Sequence, residues 1–218
     1  MFLKNSLFLS FMLFSTLANA DVASVIANFP PPPVEGSEID IADIAKVREY
    51  QTTRTEEDCK RTRHEQYLDI QSTFAEPYGP LTKEEASKLS PLYSKIFVLT
   101  DEYVIGIKEL HKRPRPFVRD EKIVLCVPSH PSTSYPSGHA TISRTAANIF
   151  ATLLPAKAAA LKARADQMAE DRVLGGVHHP SDIEAGKTLA DIVSEELLKQ
   201  QVLRIPLENA KKSLSNPL

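Results

Sequence analysis

The sequence predicts an all-α fold: a single compact domain of orthogonal or bundled helices, preceded by an extended Pro-rich arm. Three observations predict it. Apolar residues recur at helical spacing from Glu38 to about Leu203. The helix-start signals Thr55-Glu56-Glu57-Asp58 and Thr82-Lys83-Glu84-Glu85 stand in front of such runs. No convincing set of strands and no internal repeat interrupts them.

The elements follow in order. Residues 1–20 read as a cleaved secretory signal, with Lys4, an apolar run from Leu7 to Phe14, and Ala18-Asn19-Ala20 ahead of Asp21. The run is too short for a membrane span, which takes about 20 apolar residues. Residues 21–36 form the arm, because Pro30 to Pro33 exclude helix there. The helical domain is expected over 37–204. Ile41, Ile44, Ala45 and Tyr50 mark the buried face of a first helix. A polar helix follows from Thr55 to about Ile70. After a turn at Pro77–Pro80, a short helix opens at Thr82. Ser90-Pro91 fits the cap and first position of a longer, buried helix carrying Leu92, Tyr93, Ile96, Val104 and Ile105. Pro114 and Pro116 end it. Residues 117–136 form a loop with a stray strand at Ile123–Cys126. Helices are expected from 137 to about Leu154, from about Lys157 to Leu174, and from Pro180 to about Leu203. Residues 205–218 are a frayed C-terminal tail.

Composition narrows the function. Without residues 1–20 roughly 200 residues remain, enough for one core. The formal net charge of the whole chain is −2, which gives no reason to expect a nucleic acid polymer as partner. No later stretch is apolar enough to span a bilayer. Cys59 and Cys126 are the two cysteines. In an exported chain an even count points to one disulfide, worth about 3–5 kcal/mol for a long loop; the alternative is two buried thiols.

Three segments place charged and titratable groups at helix ends. The first, Lys108 to Pro116, holds Lys108, Lys112, Arg113 and Arg115. Cations suit a helix C-terminus, but Arg115 lies between two prolines, so its backbone is held extended and its guanidinium is aimed. The second is Ser134-Tyr135-Pro136-Ser137-Gly138-His139, where Ser137 caps a helix, Gly138 allows close backbone approach, and His139 stands beside the N–H groups of the helix start. The third runs from Arg172 to Asp182. His178 precedes a helix, and Asp182 lies four residues on, placed to hold one ring nitrogen and free the other as nucleophile or base. Together Lys108, Arg115 and Arg172, a helix N-terminus, two histidines and a carboxylate suit a phosphate. His178, His179 and Asp182 are too few and too divergent to read as a metal site.

These spacings resemble the type 2 phosphatidic acid phosphatase superfamily, whose signature is K-x6-R-P, P-S-G-H and S-R-x5-H-x3-D. Here stand Lys108 with Arg115-Pro116, Pro136-Ser137-Gly138-His139, and Arg172, His178 and Asp182. The chain looks most like the secreted bacterial class A nonspecific acid phosphatases, over residues 29–200. The resemblance implies a secreted or periplasmic phosphomonoesterase, often a homo-oligomer, with no metal or other cofactor. It implies His178 as the nucleophile that becomes phosphohistidine, Asp182 as its orienter and His139 as general acid. Lys108, Arg115, Ser137, Gly138 and Arg172 would bind the phosphoryl oxygens of small phosphate esters. Lipid-phosphate and pyrophosphate phosphatases share the motifs, as do the larger vanadate-dependent haloperoxidases. An exported protein that only binds an oxyanion is the non-enzymatic alternative. One position departs from the pattern. Asp171 stands where the family has Ser, and its carboxylate must turn away from a phosphate or hold Arg172.

Overall fold

Capping side chains set where the helices begin. The computed structural model describes residues 22–215, so the expected signal segment lies outside the described residues. Ser37 caps α2 (Glu38–Thr53) through Asp40 N–H. Thr55 and Thr82 each form reciprocal capping boxes, with Asp58 and Glu85, at the starts of α3 (Glu56–His64) and α5 (Lys83–His111). Asp69 caps the short α4 (Ile70–Phe74), and Ser137 caps α7 (Gly138–Leu153). A 3₁₀ turn, Pro155–Lys157, leads into α8 (Ala158–Leu174). Then come α9 (Pro180–Lys199) and α10 (Gln201–Ser215). Among the described residues the architecture is all-helical, with one isolated bridge between Ala75 and Leu81.

The core gathers around α5 and α7. Leu89, Leu92, Tyr93, Ile96, Ile142, Ile149, Phe150 and Leu189 are buried in one apolar cluster. α7 packs against both α8 and α9, and α5 packs against α7 and α10. Cys59 and Cys126 are disulfide-bonded across 67 residues, Cα to Cα 5.1 Å. The chain-entropy model assigns such a loop about 4 kcal/mol.

Several expectations need correction. Residues 22–28 are helical (α1), so the arm is not extended throughout; residues 29–37, which include the prolines, lie outside any helix. Val22, Val25 and Ile26 pack against the core, and prolines bar helix only where they stand. Ser90-Pro91 does not start a helix, since α5 continues through Pro91. An interior proline costs about 3 kcal/mol. Burial of Leu89, Leu92, Tyr93 and Ile96 on either side of it, at about 1.5–3 kcal/mol each, outweighs that. The polar helix from Thr55 ends at His64, because Glu65 turns inward to pair with Arg164 and Arg172. Ile123–Cys126 is not a strand: Val124 N–H donates to Gln51 Oε1 (2.9 Å) and Cys126 N–H to Gly175 O (3.2 Å). A four-residue helix, α6 (Pro116–Arg119), lies within the stretch expected to be loop. Residues 205–215 are not frayed; they continue α10, which seats Leu203 and Ala210 in the core.

α2 is rotated from expectation. Its buried positions are Asp40, Asp43 and Val47, while Ile39 and Ile41 are exposed. The buried carboxylates are held by Arg113 and Arg119. Ion pairing, rather than the apolar stripe, sets how this helix docks.

Candidate active site

α5 ends where the first cationic segment begins. Lys112 adopts left-handed geometry (φ 47°) and its N–H donates to Lys108 O. The chain then leaves the helix through Pro114. Arg115 is extended (φ −74°, ψ 156°) with Pro116 opening α6. Its guanidinium is pinned from two sides: Nε donates to Ser132 O (2.7 Å) and one terminal nitrogen to Ser132 Oγ (3.0 Å) in the following loop, and the other to Val177 O (2.7 Å) between α8 and α9. Lys108 Nζ donates to Thr133 O.

The second segment delivers His139 at the first turn of α7. Its Nε2 lies 3.2 Å from the Glu65 carbonyl. A carbonyl only accepts, so Nε2 carries the proton. Ser137 is fully buried; its Oγ accepts from Ala140 N–H, and its own N–H donates to Asp182 O (3.0 Å).

In the third segment α8 stops at Gly175–Gly176. Gly176 has φ +81°, and a side chain there would strike Ile123. The N–H groups of Val177 and His178 both donate to Arg172 O, so the turn sets His178 beside Arg172. Arg172 is buried; it donates to Thr62 O (2.8 Å) and Glu65 Oε2 (3.1 Å), and its Nε–H has no partner. His178 Nε2 lies 3.2 Å from Arg115, and its Nδ1 lies 3.4 Å from Asp182 Oδ2.

Lys108, Arg115, Gly138, His139, Arg172 and His178 line one cavity of about 930 Å³. Ser137 and Asp182 do not reach its wall; they stand behind it. Asp171 turns away. Its carboxylate takes two 2.7 Å hydrogen bonds from Arg61 rather than holding Arg172.

The site rests on a buried network that sequence reasoning missed. Asp182 Oδ1 accepts from Arg113 (2.7 Å). Its Oδ2 accepts from Ser134 Oγ and from His179 N–H (2.7 Å), and lies 2.9 Å from His179 Nδ1. Arg113 also binds Asp40 (3.0 Å) and Asp43 (2.8 Å). Arg113 and His179 stand beside motif residues, and that adjacency was the only available signal. Asp40 and Asp43 carried none. Glu65 was missed as well, though it braces Arg172 with its carboxylate and His139 with its carbonyl.

Electrostatics separate these groups. Burial, aided by the charge of Arg115, pushes His178 down to about 3. Burial and then Arg172 push His139 well below the usual imidazole range. Burial pushes Lys108 down to about 7, with Arg115 adding to the effect. Burial alone would raise the Asp182 carboxyl, but the nearby His178 and His179 rings prevail and hold it well below the usual carboxylate range. Among the described residues no three His, Cys, Asp or Glu side chains gather as a metal would need, and no helix is long and apolar enough to cross a membrane.

The chain is similar in sequence to known acid phosphatases. The chain is 24% identical over 205 residues to a non-specific acid phosphatase of Providencia stuartii, covering 89% of this chain and 82% of that one. It is 33% identical over 106 residues to an acid phosphatase of Zymomonas mobilis, covering 47% and 40% of the two chains. It is 28% identical over 114 residues to a non-specific acid phosphatase of Salmonella typhi, covering 50% and 45%. Residues 92–201 match the PAP2 superfamily. That span holds all three segments of the cavity wall, and the chain belongs to the PAP2 superfamily.

Proposed function

We propose that the protein is an exported acid phosphatase that hydrolyses small phosphomonoesters through a phosphohistidine at His178. One observation carries the reading: Lys108, Arg115 and Arg172 converge with His139 and His178 on one cavity, and Arg172 keeps a buried N–H without a partner. A buried, unpaired donor among cations calls for an anion. The names of the relatives favour a phosphate ester as that anion.

In this reading Lys108, Arg115, Arg172 and the N–H groups at Gly138 take the phosphoryl oxygens, without a metal. Ser137 serves by capping α7 and aiming those N–H groups. Asp182 faces Nδ1 of His178, so Nε2 carries the lone pair. Nε2 attacks phosphorus; the P–N bond forms as the ester P–O bond breaks. The leaving oxygen keeps the electron pair and takes the proton on His139 Nδ1, since Nε2–H is committed to Glu65. Neutral His139 then takes a proton from water, which attacks phosphorus, breaks the P–N bond and releases phosphate. The free site holds His139 neutral, and the negative charge of bound substrate raises its pKa for donation. His178 is neutral above about 3 and Lys108 is charged below about 7, which supports an acidic optimum. Export is supported by the signal-like residues 1–20 and the Cys59–Cys126 disulfide.

The test is hydrolysis of a chromogenic phosphate ester with and without chelator. His178→Ala should lose about a thousandfold or more in kcat, and chelator should change nothing. Turnover that survives His178→Ala would refute the reading, and loss on chelation would refute its metal-free form.

A further inference from the structure

One face of α5 forms a wall of the cavity beyond the phosphate end. Phe97, Asp101, Val104, Ile105 and Lys108 all line it, at the helical spacing that stacks side chains on one face. Lys108 marks the phosphate end. Val104 lies one turn from it and Asp101 two turns, about 10 Å at about 1.5 Å per residue. Leu68, Ile142 and the exposed Tyr67 add apolar lining. The wall therefore reads, outward from the phosphate, as cation, apolar stretch, carboxylate, aromatic ring.

Asp101 is the unexplained member. It is half-buried and lines the cavity, and among the described residues it makes no hydrogen bond or ion pair. Burial pushes its carboxyl up, and the charge of Lys108 only partly offsets this. The other carboxylate of the lining, Asp69, is already committed to capping α4. A half-buried carboxylate with no protein partner is available to a cationic or donor-bearing group that enters the cavity.

We propose that this wall is a leaving-group subsite for phosphomonoesters in which a ring-sized apolar segment separates the phosphate from an ammonium group, with Asp101 as the residue that receives the ammonium. The apolar segment lies on Val104, Ile105 and Leu68. The same carboxylate repels leaving groups that carry an anion at that distance. The proposal rests on the phosphatase reading above and specifies its substrate class.

The experiment compares kcat/KM near pH 7, where free carboxylates are ionised, for three esters. They are phenyl phosphate, 4-(2-aminoethyl)phenyl phosphate, and 3-(4-phosphonooxyphenyl)propanoate. The wild-type enzyme should prefer the ammonium ester to the carboxylate ester by about tenfold, as expected for one partly screened charge. Asp101→Asn should bring that ratio near one, Asp101→Lys should invert it, and Asp101→Glu should retain it. Because the readout is a ratio within each variant, any general effect of substitution cancels. A ratio near one in wild type, or one that Asp101→Asn leaves unchanged, would overturn the subsite while phenyl phosphate hydrolysis keeps the phosphatase reading intact. No hydrolysis of any ester by the wild-type enzyme would overturn both.

Discussion

Arg113 is the side chain on which three buried carboxylates depend. Asp40, Asp43 and Asp182 all lie within 3.0 Å of its guanidinium, and all four groups are buried. Removing one partner from such a set leaves uncompensated charge. Arg113→Gln should therefore cost about 3–5 kcal/mol, read as a shift in the denaturant midpoint; a variant as stable as wild type would contradict this. The network was not legible beforehand, because Arg113 meets Asp40 across 73 residues and Asp43 across 70. Nothing local in the sequence links them. Lys108 carries a second prediction. Its amine is pushed down to about 7, so it is charged below that pH and loses its charge above it. Inhibition by inorganic phosphate should weaken from pH 6 to pH 8 by about tenfold relative to Lys108→Arg, whose guanidinium stays charged. Parallel pH profiles for the two proteins would contradict the assignment.

Among elements, the crossing of α7 and α9 decides where the histidines sit. Gly186 makes it possible. A side-chain carbon there would lie 2.8 Å from Ser137 O and 2.9 Å from Ala140 Cβ, closer than atoms tolerate. Gly186→Val should push α9 off the start of α7, cost about 1–3 kcal/mol, and lower kcat by misplacing His178 against His139. A variant with wild-type stability and kcat would contradict the packing argument. Periodicity and capping located α7, α8 and the start of α9 well, because these helices bury apolar faces and begin at Ser, Pro or a turn; the end expected near Leu203 is not met, since α9 stops at Lys199 and Gln200 is extended. The same signals misled at α2, where Asp40 and Asp43 face inward while Ile39 and Ile41 face water. They misled again at Pro91, where burial on both sides carries α5 through a residue that ordinarily breaks a helix.

Over the whole molecule, the fold brings together segments that begin at Lys108 and end at Asp182, with α3 closing the site from behind through Glu65. The disulfide ties α3 to the loop after α6, near the same region. Motif spacing made Lys108, Arg115, Gly138, His139, Arg172 and His178 readable, since each stands at or near a helix end whose position punctuation residues reveal. It did not reveal the bracing behind them, which depends on how distant helices dock. His178 is the proposed acceptor of phosphorus, and rapid-quench trapping with an aryl phosphate followed by mass analysis of peptides tests that directly. An acid-labile, base-stable phosphoryl group is expected on His178 in the wild-type enzyme and none in His178→Ala. Steady turnover with the phosphoryl group found on another residue, or on none, would contradict it.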